Sequence, residues 1–522
     1  MMIASRGRAV ILPVVLVLIA LLGLTMAGFV FFVRAETEGV MAYCEGQQAR
    51  LAAESGLEEV TVLLREQRDN AAAWYDAPSR FRHALVWAEN YEREADPVRE
   101  SESRRDYLEQ RGTPTPAWRF SVVAPRFDGL EYTMRFGLTP ESAKLNLNLA
   151  SDEQIEQLLT PLLVDLQIDN AAELIDAILD WRDEDNEPRE NGAESDYYNT
   201  LEPGPRYNPK NGPFDTVEEL LLVKGVTAAV LYGEDVNRNG ILDENEDDGE
   251  ESFPYYDNAD GILNYGIAPF LTVWSREVDA SVDNKPRINL HGAGEQVGAQ
   301  LALYMPEDED AAWLSPATQA FIVEIAGTDV VDQMRSPADL YVGQEELDPN
   351  EAAEFPEQLL NSPVTLEEMP LIMDRFTTRP AESANEAIEE MLININAAPL
   401  AVLMIVPSMT EEAAAAIIAG RDEILAGDEE VAAATLQTTA WPLTSEVVDA
   451  ATFRSIAPYI TTRAYQFHVE VLGYADHLKM ARRLEWVIEM VGPMAQIKYH
   501  RDLTRLGLAW PVDDETVVVA GE

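Results

Sequence analysis

Apolar residues are distributed unevenly along the chain. From Val10 to Val33 no charged residue interrupts them, and Arg34 ends the run. At 1.5 Å per residue, a helix of that length crosses the hydrocarbon of a bilayer. Beyond it, Ala35–Arg68 lacks proline and is rich in Ala, Glu, Gln, Leu and Arg, all good helix formers. Ala49, Ala53, Gly56, Val60 and Leu63 recur at three- and four-residue steps, which predicts a narrow apolar stripe of mostly small side chains. Such a stripe lets another backbone come close. The pattern predicts one rod, apolar in its first half and amphipathic in its second.

The patterning then changes. Trp74–Gln110 has helix-like spacing around Phe81, Ala84, Leu85 and Trp87 and breaks at Gly112-Thr113-Pro114-Thr115-Pro116. Trp118–Val123 and Leu130–Leu138, with Asp128-Gly129 between them, predict a hairpin. A helical stretch follows: Ile155, Leu158, Leu159, Leu162 and Leu163 share a face, Ala171–Trp181 is amphipathic, and Thr216 with Glu219 is in capping-box register for a helix to Val223. Phe270–Ser275 is strand-like, and 292–390 reads as helices and acidic loops without recognisable chemistry. Ala464–Leu472, Leu484–Val491 and Gln496–Arg501 predict strands at the end of the chain. Leu145-Asn146-Leu147-Asn148, Arg287-Ile288-Asn289-Leu290 and Ile393-Asn394-Ile395-Asn396 form a weak internal repeat. The first and third copies lead directly into helices, for which asparagine is a good N-cap.

A chain of 522 residues implies two or three domains, and 47% hydrophobic residues exclude a wholly disordered protein. The net charge of −55 disfavours nucleic acid and anionic headgroups as partners and favours cations or basic surfaces. With Cys44 alone, no intramolecular disulfide can form. The N-terminus has two export readings. Thr25–Met26–Ala27 offers a secretory cleavage site; alternatively, the basic leader ending in Gly7 is cleaved before Arg8 and the apolar helix remains as an anchor.

The sharpest chemical signal is Asp235–Glu246, which fits the twelve-residue calcium loop. The sharp turn belongs at Gly240, the oxygen donors are Asp235, Asn237, Asn239, the Ile241 carbonyl and bidentate Glu246, and Asp243 holds the ninth position. Flanking Tyr232-Gly233 and Asp248-Gly249 argue against long helices on both sides, so this is a structural loop and not a paired sensor. A second acidic stretch runs from Asp180 through Asp183, Asp185 and Glu187 to Glu194 and Asp196; it reads as another calcium site or as an acidic surface loop. Trp181, Tyr197 and Tyr198 beside it suggest core packing or a sugar platform. The helix-hairpin-helix-like pieces Lys224-Gly225-Val226-Thr227 and Pro407-Ser408-Met409-Thr410 lack the full glycine pair that grips phosphates. Scattered histidines, with no nucleophile elbow or Walker loop, give catalysis little support.

Several of these blocks, taken in order, resemble the minor pseudopilin K family of the type II secretion system (general secretion pathway protein K). They are Arg6-Gly7 before the apolar helix, Gln48–Glu58, Leu145–Asn148, Leu174–Trp181, Gly192–Tyr198, Glu218–Val226, Phe270–Ser275 and Ile393–Pro399. The resemblance implies cleavage after Gly7 by prepilin peptidase. It also implies an inner-membrane protein with its bulk in the periplasm, calcium in the head, and a place at the pseudopilus tip with minor pseudopilins I and J and other pseudopilins. From the family's calcium positions, Asp183, Asp185, Glu187 and Glu194 carry over. Leu12 stands where most pilins have glutamate, and Arg8 where an apolar residue is usual. The Asp235–Glu246 loop and 292–390 are additions to the family pattern.

The expected architecture is α+β: a long N-terminal transmembrane and amphipathic helix, a pilin-like antiparallel sheet, and a large, mainly helical inserted domain with helix-hairpin-helix-like pieces. The expected divisions are a leader at 1–7, the helix at 8–70, the first part of the sheet domain at 71–143, the insert with its calcium loops at 144–460, and the closing strands at 461–522. The expected function is a non-enzymatic, membrane-inserted tip subunit in contact with inner membrane lipid and without nucleic acid. The alternatives are a type IV pilus tip protein or adhesin, a membrane-anchored periplasmic hydrolase and a DNA-uptake module.

Overall fold

The structure is a computed structural model and describes residues 11–88, 117–128, 131–168, 170–202, 204–249, 251–254, 256–283, 285–305, 313–343, 355–379, 390–475 and 480–507. One helix runs without a break over Ile11–Gln67. Its first half is exposed, from Leu12 to Val33, with a mean hydropathy of 2.8 over its most apolar stretch. It is the membrane-spanning candidate among the described residues, by length and composition. In the second half, the small-residue stripe is the docking face: Ala49, Ala53 and Val60 are fully buried, and Leu63 nearly so.

That face packs on an antiparallel sheet whose strands come from both ends of the head. β1 (Ala84–Ala88), β2 (Ala117–Asp128), β3 (Glu131–Arg135) and β4 (Thr139–Pro140) precede the inserted region. The helix-like spacing at Phe81–Trp87 thus proves to be a strand from Ala84 onward. β1 pairs with β2 across a bulge between Leu85 and Trp87, and β2 pairs with β3. The turn residues Gly129 and Leu130 lie outside the described residues.

The inserted region repeats one device three times among the described residues. β5 (Leu145–Asn146) pairs in parallel with β6 (Leu271–Thr272), β7 (Ile288–Asn289) with β8 (Phe376–Thr377), and β9 (Ile393–Asn394) with β10 (Ile460–Thr461). Helical segments fill the interval between the two strands of each pair. In each copy the asparagine side chain accepts from the backbone N–H two residues on: Asn148 at 2.9 Å, His291 at 2.9 Å and Asn396 at 3.0 Å. The intervening aliphatic N–H reaches the partner threonine's carbonyl: Leu147 to Thr272, Leu290 to Thr377 and Ile395 to Thr461, at 2.9–3.0 Å. The asparagines therefore hold Asx-type turns that start each module and do not act as N-caps. Ser151 caps the first helix, Asp152–Asp165, in a capping box with Gln154. Buried Arg421 donates to the Ile395 and Ala398 carbonyls in the third copy as Arg182 does to Leu147 and Ala150 in the first. In the middle copy the Gly327 N–H serves the Leu290 carbonyl instead.

After the third module come β11 (Gln466–Ala475), β12 (Ala481–Val491) and β13 (Met494–Asp502). The sheet order is β1-β2-β11-β12-β13, with β3 on β2 and β4 on β11. β2 and β11, the strands under the helix, meet in the register Glu470↔Val123 to Ala475↔Trp118. At Gly473 a Cβ would stand 2.1 Å from the Ala49 carbonyl oxygen and 2.4 Å from the Ala53 nitrogen. Glycine there is what lets the helix lie directly on the strand. One apolar core then runs from the helix and sheet into all three modules.

Candidate functional site

The acidic stretch begins where helix Ala171–Arg182 ends. Trp181 and Tyr198 are buried and meet edge to face at 5.3 Å between ring centres, and Tyr207 packs on both. Trp181 and Tyr198 are therefore core, while Tyr197 is 38% exposed. The Trp181 indole donates to Glu219 at 2.9 Å, and Glu219 also accepts from the Asp215 N–H. Glu219 is thereby drawn away from Thr216, whose side chain makes no cap hydrogen bond, and Val217–Leu222 winds as a 3-10 helix. Asp180, fully buried, organises the loop by accepting from the backbone N–H of Arg189 at 3.2 Å and of Ala193 at 2.7 Å.

This frame brings Asp183, Asp185 and Glu194 together, one oxygen from each lying within 4.8 Å of the others. Glu194 is 2% exposed, yet neither carboxylate oxygen has a hydrogen-bond partner; nor do Asp183 Oδ1 and Asn211 Oδ1. The Asn211 amide instead donates to the Asp185 carbonyl. Burial, reinforced by the charges of Asp180 and Asp183, pushes Glu194 up to about 7. Asp183 is raised by burial and by Asp185 and Asp180. Buried acceptors that converge without donors are costly, and oxygen-only donors suit a hard cation. Glu187 is outside the group: it is exposed, and its backbone N–H donates to Asp185 Oδ1 at 2.8 Å. Asn211, in a segment whose composition reads only as a linker, is the neighbour sequence reasoning missed. Its sole signal was being polar between Pro209 and Pro213.

The loop Asp235–Glu246 folds around its own carboxylates. Gly240, with φ +69°, makes the turn. Asp235 accepts from the N–H groups of Asn239 and Gly240, both at 2.9 Å. The amides of Asn237 and Asn239 both donate to Asp243 Oδ2, at 2.6 and 3.0 Å. Glu246 accepts from Val236 at 3.1 Å and, closing a capping box, from Asp243 at 3.2 Å. The Ile241 N–H is held by Asn239 Oδ1 at 2.7 Å. Burial pushes Asp235 up to about 6 and Glu246 up to about 7, Asp235 and Asp243 adding to the latter. The flanking elements are short, helix Ala228–Tyr232 before the loop and a 3-10 turn Glu244–Glu246 within its end. The six loop positions are thus neighbours, but their carboxylates do not form a group as tight as that at Glu194.

Residues 143–232 match the family model for type II secretion system (T2SS), protein K. Over this span, less than a fifth of the chain, it is similar to that family. The matched span opens just before β5 and closes at Tyr232, so it contains the Asp183, Asp185 and Glu194 group and stops short of the Asp235 loop. The chain is also similar to a solved structure, the crystal structure of the GspK-GspI-GspJ complex from the enterotoxigenic Escherichia coli type 2 secretion system. That match has 12% identity and a TM-score of 0.33, and it covers 90% of this chain and 98% of the other. No curated protein matches the chain in sequence. Gly7 and Arg8 lie outside the described residues.

The helix-hairpin-helix-like pieces are internal fastenings. The Lys224 N–H donates to the Tyr198 hydroxyl at 3.1 Å, and its ammonium donates to the Asn191 and Gly192 carbonyls at 2.9 and 3.2 Å, so the first hairpin is tied to the acidic loop. In the second, Ser408 takes the positive φ of +66° where the motif has glycine.

Proposed function

We propose that the chain is a non-enzymatic minor pseudopilin that sits at the tip of the type II secretion pseudopilus. The observation that carries this reading is the protein K domain at residues 143–232, inserted into a sheet that backs a long membrane-spanning helix. The apolar half of the helix holds the protein in the inner membrane until assembly, and the buried half fixes the head to it. A head of three modules is too broad to stack repeatedly along a thin fibre and suits its end. Minor pseudopilins I and J are the partners the reading assigns, with other pseudopilins below them. Prepilin peptidase is assigned the cut after Gly7, leaving Arg8 first.

Calcium is assigned to the head. Asp183, Asp185 and Glu194, with Asn211 alongside, fit it because their orphaned oxygens supply the donors a hard cation takes. Asp235, Asn237, Asn239, the Ile241 carbonyl, Asp243 and Glu246 are the second set. When bound, calcium supplies charge that lets the buried carboxylates stay ionised together. The residues themselves shape the two loops against the first module and the sheet. The test is the mature N-terminus of membrane-extracted protein made with and without prepilin peptidase. The reading expects a peptidase-dependent start at Arg8; a start at Gly28 or an intact Met1 in both would overturn it.

A further inference from the structure

The Asp235–Glu246 loop lies against the sheet, and the side chain of Arg483 ties its backbone to it. Arg483, on β12, is 2% exposed. Its Nε donates to Glu470 on β11, its Nη1 donates to the Asn237 carbonyl at 2.9 Å, and its Nη2 donates to the Arg238 carbonyl. Those two carbonyls belong to the third and fourth positions of the loop, where the chain turns. Arg238 has φ +55° and lays its guanidinium over the Tyr232 ring at 3.7 Å. A cavity of about 220 Å³, lined by Asp235, Arg238, His468, Arg483 and Glu485, adjoins this contact. The loop borders open space on its sheet side, and the arginine fork is what bridges it. Neighbouring ties, Arg501 to Glu218 at 2.6 Å and the Trp274 ring on Tyr499 at 5.2 Å, join the first module to β13 away from the loop.

We infer that Arg483 is a positioning residue that couples cation binding in the 235–246 loop to the seating of the inserted region on the sheet. This rests on the reading of that loop as a calcium site. A fork bonded to two consecutive carbonyls holds the loop backbone in one conformation, the conformation in which Asp235, Asn239 and Glu246 face inward. The guanidinium serves Glu470 and the two carbonyls from three separate nitrogens in a fixed plane, whereas the donors of an ammonium all sit on one nitrogen. Because coupling between two sites is reciprocal, a cation that favours the ordered loop also favours the docked sheet. The Glu194 group lies elsewhere in the first module and makes no bond to Arg483, so it serves as an internal reference.

The experiment uses detergent-solubilised full-length protein. Calcium chloride is titrated calorimetrically, and backbone hydrogen exchange of 481–491 is followed with calcium and with chelator. In the wild type, calcium slows exchange in that strand. In Arg483→Met, and equally in Arg483→Lys, affinity at the loop falls by about tenfold, the usual effect of removing an outer-shell partner, while binding at the Glu194 group is unchanged. In Glu246→Gln, where Arg483 and the sheet are intact, calcium no longer slows exchange in 481–491; this arm holds even if the arginine variants fold poorly. Loop binding that is undiminished in Arg483→Lys, or exchange in 481–491 that answers calcium equally in Glu246→Gln, overturns the coupling and leaves the loop reading standing. Asp235→Asn with Glu246→Gln removing no calcium equivalent overturns both.

Discussion

Replacing Gly473 by alanine adds one carbon where the helix backbone already lies. The new Cβ would be 2.1 Å from the Ala49 oxygen and 2.4 Å from the Ala53 nitrogen, against ordinary contacts of about 3.4 Å or more. Both obstacles are main-chain atoms of a helix, so no rotamer change relieves them, and helix and strand must separate by roughly 1 Å. Ala49, Ala52 and Ala53, each 1% exposed or less, would then lose a quarter to a half of their dispersion contact with the strand. Overpacking of this kind costs about 1–3 kcal/mol, and the backbone nature of the clash places Gly473→Ala at the upper end. Urea unfolding of the solubilised protein, with hydrogen exchange of residues 46–67, is the assay. The expected result is a lower midpoint and faster exchange in those amides, whereas Gly204→Ala, with nothing within 4 Å of the added carbon, leaves both unchanged. Wild-type stability and protection in Gly473→Ala would refute the close-packed helix and sheet.

Glu194→Gln removes one ligand charge from the group with Asp183 and Asp185; calorimetric titration should show one calcium class weakened by about tenfold or more, and an unaltered isotherm would remove that group from the cation sites. Glu485 accepts from His468 at 2.8 Å; burial works against its ionisation, but that bond and the charges of His468, Arg238 and Arg501 hold it at about 2. Its contribution is complete above about 4.5 and is lost as the pH falls through about 2, so Glu485→Gln should flatten the acid limb of thermal stability in that window, and a parallel limb would contradict the pairing. Asn394, fully buried, donates to the Arg463 carbonyl and accepts from the Asn396 N–H, each at 3.0 Å; Asn394→Ala should cost about 2 kcal/mol in urea unfolding by orphaning both, and a neutral result would disprove its role in closing the third module.

The rod was legible because membrane and core both impose a helical period on it, and the stripe Ala49, Ala53, Gly56, Val60 and Leu63 is the buried face. What that stripe meets was not legible, since the partner is Gly473 some four hundred residues on and only the fold brings it there. The asparagine motifs were visible at Asn146, Asn289 and Asn394, but their partners Thr272, Thr377 and Thr461 sit in two-residue strands too short to carry any alternation. The strand at Ala84–Ala88 was misread because Phe81, Ala84 and Leu85 happen to share helical spacing while the pairing that decides them, with Trp118–Phe120, is distant. At the acidic group, the dense carboxylates announced Asp183, Asp185 and Glu194. Burial decided which of them converge, leaving Glu187 in solvent and bringing Asn211 alongside.

A tip subunit of the pseudopilus assembles with other minor pseudopilins. Co-purification of the full chain with minor pseudopilins I and J from one membrane, followed by native mass measurement in detergent, tests it most directly. A complex that contains all three proteins is the expected result. I and J recovered together with this chain absent would contradict it.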